Sequence, residues 1–137
     1  MYNTESTIAL KIAMPSEVVF EADATGVNVP GSNGVFGVLP GHAKLISSIK
    51  VGVVSVFTSG VEKKFFIYGG IVEVNNFETN IVSEFAVNLE EQKRSDLLDK
   101  IANLKLELQS SVENSLKSKI LNDSIIKYSS LLNFVVQ

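Results

Sequence analysis

Pro30-Gly31-Ser32-Asn33-Gly34-Val35-Phe36-Gly37-Val38-Leu39-Pro40-Gly41-His42 carries two clusters of turn residues, Pro30 to Gly34 and Pro40 to His42. Proline fixes one backbone angle and glycine tolerates positive φ, so such clusters reverse a chain and do not extend a helix. The same punctuation recurs at Thr58-Ser59-Gly60, Gly69-Gly70 and Asn75-Asn76. Between the turns the apolar residues alternate. Ile8, Leu10, Ile12 and Met14 would share one face; Val27 and Val29 begin a similar pattern, Val54 and Val56 repeat it, and Ile71 alternates with Glu73 beyond the Gly-Gly turn. Phe65, Phe66, Ile67 and Tyr68 form a continuous apolar run, suited to a strand covered on both sides. Short strands with turns roughly every eight to twelve residues predict an antiparallel β-sandwich or barrel over residues 1–87.

Beyond residues 86–88 the grammar changes. All nine glycines and all three prolines lie at or before Gly70, and none occurs from Asn88 to Gln137. Without breakers, long helices become possible. Asn88, with Glu91 three residues on, reads as a helix cap. Leu97, Ile101, Leu104 and Leu108 then recur with helical spacing. Gln109-Ser110-Ser111 reads as a turn, with Asn114 or Ser115 as the next cap. Leu116, Ile120, Tyr128, Leu131 and Val135 make a second stripe, flanked by Leu121, Ile125 and Leu132. Residues 88–137 are thus expected to form an antiparallel hairpin of two helices, each about 20 residues long. The fold class is α+β. Charge divides at the same place: residues 1–87 hold five basic and eight acidic side chains, residues 88–137 seven of each.

Composition excludes several functions. With 45% hydrophobic and 20% charged residues the chain can bury a core, and a net charge of −3 gives no surplus of cations to neutralise phosphates, so nucleic acid is not expected as a partner. The absence of cysteine removes thiolate metal sites and thiol catalysis. Met1-Tyr2-Asn3-Thr4-Glu5 has no basic stretch leading into an apolar run and reads as neither secretory signal nor transit peptide. Acid–base or metal chemistry needs clustered donors. His42, the single histidine, lies in a turn and reads as a structural or interface residue. Glu17, Glu21 and Asp23 read as a solvated strand edge, and Glu90-Glu91 as favourable charge at a helix start. Gly31, Gly34 and Gly37 lack both the Walker spacing and a following Lys-Ser or Lys-Thr pair. No catalytic residue, metal or cofactor is expected.

The run from Pro30 to Leu45, with Ile49-Lys50-Val51-Gly52 after it and Gly69-Gly70-Ile71-Val72-Glu73-Val74 further on, resembles the epsilon subunit of bacterial and chloroplast rotary ATP synthases, called delta in mitochondria. The likeness is strong over about residues 6–86; the hairpin matches in architecture and length. It implies a sandwich of about ten strands and a non-catalytic rotor subunit at the foot of the central stalk. The implied partners are the γ subunit, the c-subunit ring and the catalytic alpha/beta head. The implied location is peripheral, on the cytoplasmic face of the bacterial inner membrane. Gly31, Ser32, Asn33, Gly34, Val35 and Phe36 match the part of the sandwich facing the ring. Pro40, Gly41, His42, Ala43 and Lys44 match the turn lying against γ. Phe36 is either an apolar anchor for the ring or a residue packed in its own sandwich.

The hairpin departs from its relatives. In several bacterial relatives it extends along γ into the head and blocks hydrolysis, drawing on basic helices; here it is neutral, with Arg94 its one arginine. An ATP-binding motif of Ile/Leu-Asp-x-x-Arg-Ala in some relatives becomes Leu89-Glu90-Glu91-Gln92-Lys93-Arg94. Glu90, Lys93 and Arg94 are thus a degenerate version, in which lysine has lost the guanidinium fork that grips phosphate. Competing readings are an ATP-sensing module, which would need the missing arginines, and an unrelated sandwich adaptor, which would not explain the glycine-proline-histidine run.

Overall fold

The computed structural model describes residues 6–136, so the reading of Met1 to Glu5 lies outside the described residues. Strands β1 (Ile8–Met14), β2 (Glu17–Ala24), β3 (Gly26–Gly31), β4 (Gly34–Val38), β5 (Leu45–Thr58), β6 (Val61–Val74), β7 (Glu78–Val82) and β8 (Ala86–Asn88) are followed by a 3₁₀ turn (Leu89–Glu91) and helices α1 (Arg94–Gln109) and α2 (Leu116–Leu132). The chain forms two compact units divided between Glu90 and Glu91.

Hydrogen-bonded neighbours run β2-β1-β7-β6-β5-β3-β4, with β8 also on β6. All pairs are antiparallel except β1 with β7, which run parallel. β5 and β6 are 14 residues long and pair with each other from Leu45 opposite Val74 to Thr58 opposite Val61. One end of β6, Ile71 to Val74, pairs with β7; its other part, Phe65 to Ile67, pairs with β8. Between these two parts lie Gly69 and Gly70, whose φ angles are +74° and +147°. Among the described residues there are eight strands where about ten were expected, because β5 and β6 each run unbroken for 14 residues. At Gly70 a side chain is doubly excluded, since a Cβ there would run into the Val82 carbonyl oxygen.

Ile8, Leu10, Ile12, Val27, Val29, Val54 and Val56 are buried in one apolar cluster with Phe65, Ile67, Val72, Val74 and Ile81. Between the layers, the rings of Phe20 and Phe65 approach to 4.8 Å. Ile71 shares the exposed phase with Glu73, while Val72 and Val74 face inward. Glu17, Glu21 and Asp23 are exposed on β2, an edge strand, where charge discourages pairing with foreign strands.

In the hairpin, the cap expected at Asn88 is smaller than a helix. Its Oδ1 accepts the Glu90 N–H at 3.0 Å and closes only the 3₁₀ turn. The α-helix begins at Arg94, after Lys93, whose extended backbone interrupts the helical path and whose side chain makes no cap hydrogen bond. Ser115 caps α2, accepting the Ser118 N–H at 3.1 Å. Leu97, Ile101, Leu121, Leu131 and Val135 are buried, but Leu116 and Ile120 are exposed, contrary to the expected stripe. At 100° per residue, Ile120 sits about 80° around the helix from Tyr128, and Ser118 takes the buried place. Lys117 pairs with Glu107 at 3.5 Å, and Lys100 lies 5.5 Å from the Tyr128 ring centroid. No described helix is long and apolar enough to cross a membrane.

Candidate interaction surfaces

Ser32 and Asn33 form a two-residue turn between β3 and β4, closed by the pair Gly31 and Gly34. The turn is tied to β5: the Ser32 N–H donates to the Ser48 carbonyl at 3.2 Å and the two hydroxyl oxygens are 2.6 Å apart. Gly31 is buried beneath the Phe36 ring, and a Cβ on it would lie 2.8 Å from a ring carbon. Phe36 is half-buried and packs against the sandwich core. The ring makes contacts within its own sandwich while part of it stays exposed. The apolar group offered to solvent at this tip is its neighbour Val35, 72% exposed, beside the exposed Ser32, Asn33 and Gly34.

The segment Pro40 to Lys44 begins with a type II turn. The Leu39 carbonyl accepts the His42 N–H at 3.1 Å, Pro40 takes the second position, and Gly41, with φ +84°, the third. The Gly41 N–H donates to the Asn76 carbonyl at 3.3 Å, joining this turn to the one between β6 and β7. There the Asn75 side-chain oxygen accepts the N–H groups of Phe77 and Glu78 at 2.8 and 2.9 Å. His42 is half-buried, with Nδ1 2.7 Å from the Ala43 carbonyl oxygen, while Ala43 and Lys44 are exposed.

Beside this turn the sheet presents apolar side chains on its outer face. Ile71 is directly opposite Val82 on β7 and Ser48 on β5, and Ile46 lies two residues from Ser48 on the same face. Ile46 is 70% exposed, and Ile71 and Val82 are each more than half exposed; Phe77, 78% exposed, and Leu39 extend the apolar surface at the turns. Sequence reasoning missed Ile46, Phe77 and Val82 and noted Ile71 only as part of an alternation. The signal was present: Ile71-Val72-Glu73-Val74 is apolar in both phases, one position more than a half-buried strand needs.

Glu90, Lys93 and Arg94 are all exposed, Glu90 at the end of the sandwich unit and Lys93 and Arg94 at the start of the hairpin unit. Among the described residues, no three His, Cys, Asp or Glu side chains gather as metal ligands.

A family model described as ATP synthase, Delta/Epsilon chain, beta-sandwich domain matches residues 7–89. The ATP synthase epsilon chain 1 of Nitrobacter hamburgensis is 31% identical over 103 residues, which span 75% of this chain and 76% of that one. The ATP synthase epsilon chain of Rickettsia prowazekii is 36% identical over 94 residues, spanning 66% of this chain and 84% of its own. A chain in the Euglena gracilis mitochondrial ATP synthase OSCP/F1/c-ring assembly superposes with TM-score 0.62 at 22% identity, over 96% of this chain and 78% of that chain. At that identity the likeness is one of fold.

Proposed function

The chain belongs to the delta/epsilon family of ATP synthase subunits, as a non-catalytic part of the central stalk, and on that premise we propose that its sandwich couples rotation through two separate surfaces. The first, Pro40 to Lys44 with Leu39, Ile46, Ile71, Phe77 and Val82, binds γ. The second, the tip from Gly31 to Val35, meets the polar loops of the c-subunit ring. The observation that carries the reading is the apolar outer face of the sheet beside the Pro40 to Lys44 turn. Large side chains exposed together on a sheet face commonly mark a binding surface. Glycines at both turns let a partner backbone approach closely. The complex would sit at the cytoplasmic face of a bacterial inner membrane, with this chain held there through γ and the ring.

For the hairpin we propose a brake on ATP hydrolysis. Leu106, Leu116 and Ile120 are exposed on it, so apolar surface remains for the head. Steering by charge would be weak, because the hairpin is neutral.

Copurification tests the two sandwich surfaces separately. Ile71→Asp should abolish recovery with γ and the head, and Val35→Asp should reduce recovery with the ring, both with unchanged circular dichroism. Wild-type recovery of both variants would sink the assignment.

A further inference from the structure

We propose that Asn33 is a site of spontaneous deamidation, driven by its neighbour Gly34 at the exposed apex between β3 and β4. Asn33 is the one asparagine of the chain followed by glycine. Both residues are exposed, and a Cβ on Gly34 would find nothing within 4 Å, so the apex is open. The Gly34 backbone nitrogen attacks Asn33 Cγ. An N–Cγ bond forms, the amide proton passes to the leaving group, the Cγ–Nδ2 bond breaks and ammonia departs. Water then opens the resulting succinimide. Cleavage at Cγ yields aspartate; cleavage at the main-chain carbonyl yields isoaspartate, with the chain now running through Cγ.

Glycine matters because any larger following residue shields the attacking nitrogen. The attack waits on fraying of the Gly31 and Gly34 pair, which sits at the very end of its ladder, where local opening costs least. The nearest rival is Asn114, exposed with φ +60°, but it precedes Ser115, whose side chain is engaged in capping α2. Asn122 lies within α2.

The product changes the tip in two ways. Isoaspartate adds a backbone carbon to a two-residue turn. A carboxylate also appears in a stretch, Gly26 to Ala43, that holds no Asp, Glu, Lys or Arg. If the tip meets the ring, and this consequence rests on that reading, the modified subunit should dock poorly.

The test incubates the purified full chain at mildly alkaline pH and follows its proteolytic peptides by mass spectrometry and enzymatic isoaspartate methylation. The expected result is that the Asn33 peptide gains the amide-to-acid mass shift before any other asparagine, with isoaspartate in excess, and that Asn33→Gln eliminates both signals. Conversion of Asn114 first, or an intact Asn33 in the folded chain after a urea-unfolded control has converted fully, would overturn the proposal. Conversion is read on the isolated chain and so is independent of any partner. Asn33→Asp should then lower recovery with the ring, and unchanged recovery would contradict the ring-facing reading instead.

Discussion

At the scale of single residues, the sandwich contains positions where one atom decides the outcome. Gly70 combines φ +147° with a backbone oxygen where its Cβ would go. Gly70→Ala should therefore cost about 3 kcal/mol or more in urea unfolding, adding steric overlap to backbone strain. Gly34, with φ +125° and open space around it, is the control; its alanine variant should lose only about 1–2 kcal/mol. Equal losses would mean that the Val82 carbonyl moves aside easily. Thr79 is fully buried, and its hydroxyl has no hydrogen-bond partner among the described residues. Thr79→Val removes a desolvated polar group at nearly constant shape, so the midpoint should hold or rise, by up to about 1 kcal/mol. A clear drop would reveal a partner for that hydroxyl.

At the scale of elements, the β3–β4 tip divides its labour between neighbours. Phe36→Ala uncovers Gly31 and opens the core edge, and should cost about 2–3 kcal/mol for a half-buried ring. Val35→Ala should stay within about 0.5 kcal/mol of wild type and act on ring recovery alone. In the hairpin, Ser115→Ala should lower the stability of α2 by about 1 kcal/mol, measured by amide exchange. Alternation placed Ile8, Leu10, Ile12, Val27 and Val29 in the core because strand period is a local property of the chain. The capping pattern at Ser115 was equally local. Asn88 misled because a capping residue marks where a turn starts and not how far the turn propagates. The Leu116 and Ile120 error came from fitting a stripe across a gap of eight residues, over which the phase drifts. Whether Phe36 or Val35 faces outward depends on which side of β4 meets the core. That is fixed by its pairing with β3 and by the missing side chain at Gly31, contacts that a linear pattern does not contain.

At the scale of the whole molecule, the chain divides between Glu90 and Glu91 into two units of different construction. The sandwich has its own apolar cluster, whereas isolated helices of 16 and 17 residues are marginal in water. A chain ending at Glu90 keeps β8 whole, since that strand runs to Asn88, and it should bind the γ-bearing head like the full chain. Full-length protein should suppress ATP hydrolysis by that head while the shortened chain does not; equal hydrolysis with both would leave the hairpin without a braking role. The most direct test of the two sandwich surfaces is site-specific photo-crosslinking in the assembled enzyme, with the probe placed singly at Ala43 and at Asn33. The two-surface assignment predicts an adduct to γ from Ala43 and an adduct to the c-subunit ring from Asn33. Exchanged partners, or no adduct from either position in an assembled and active enzyme, would contradict it.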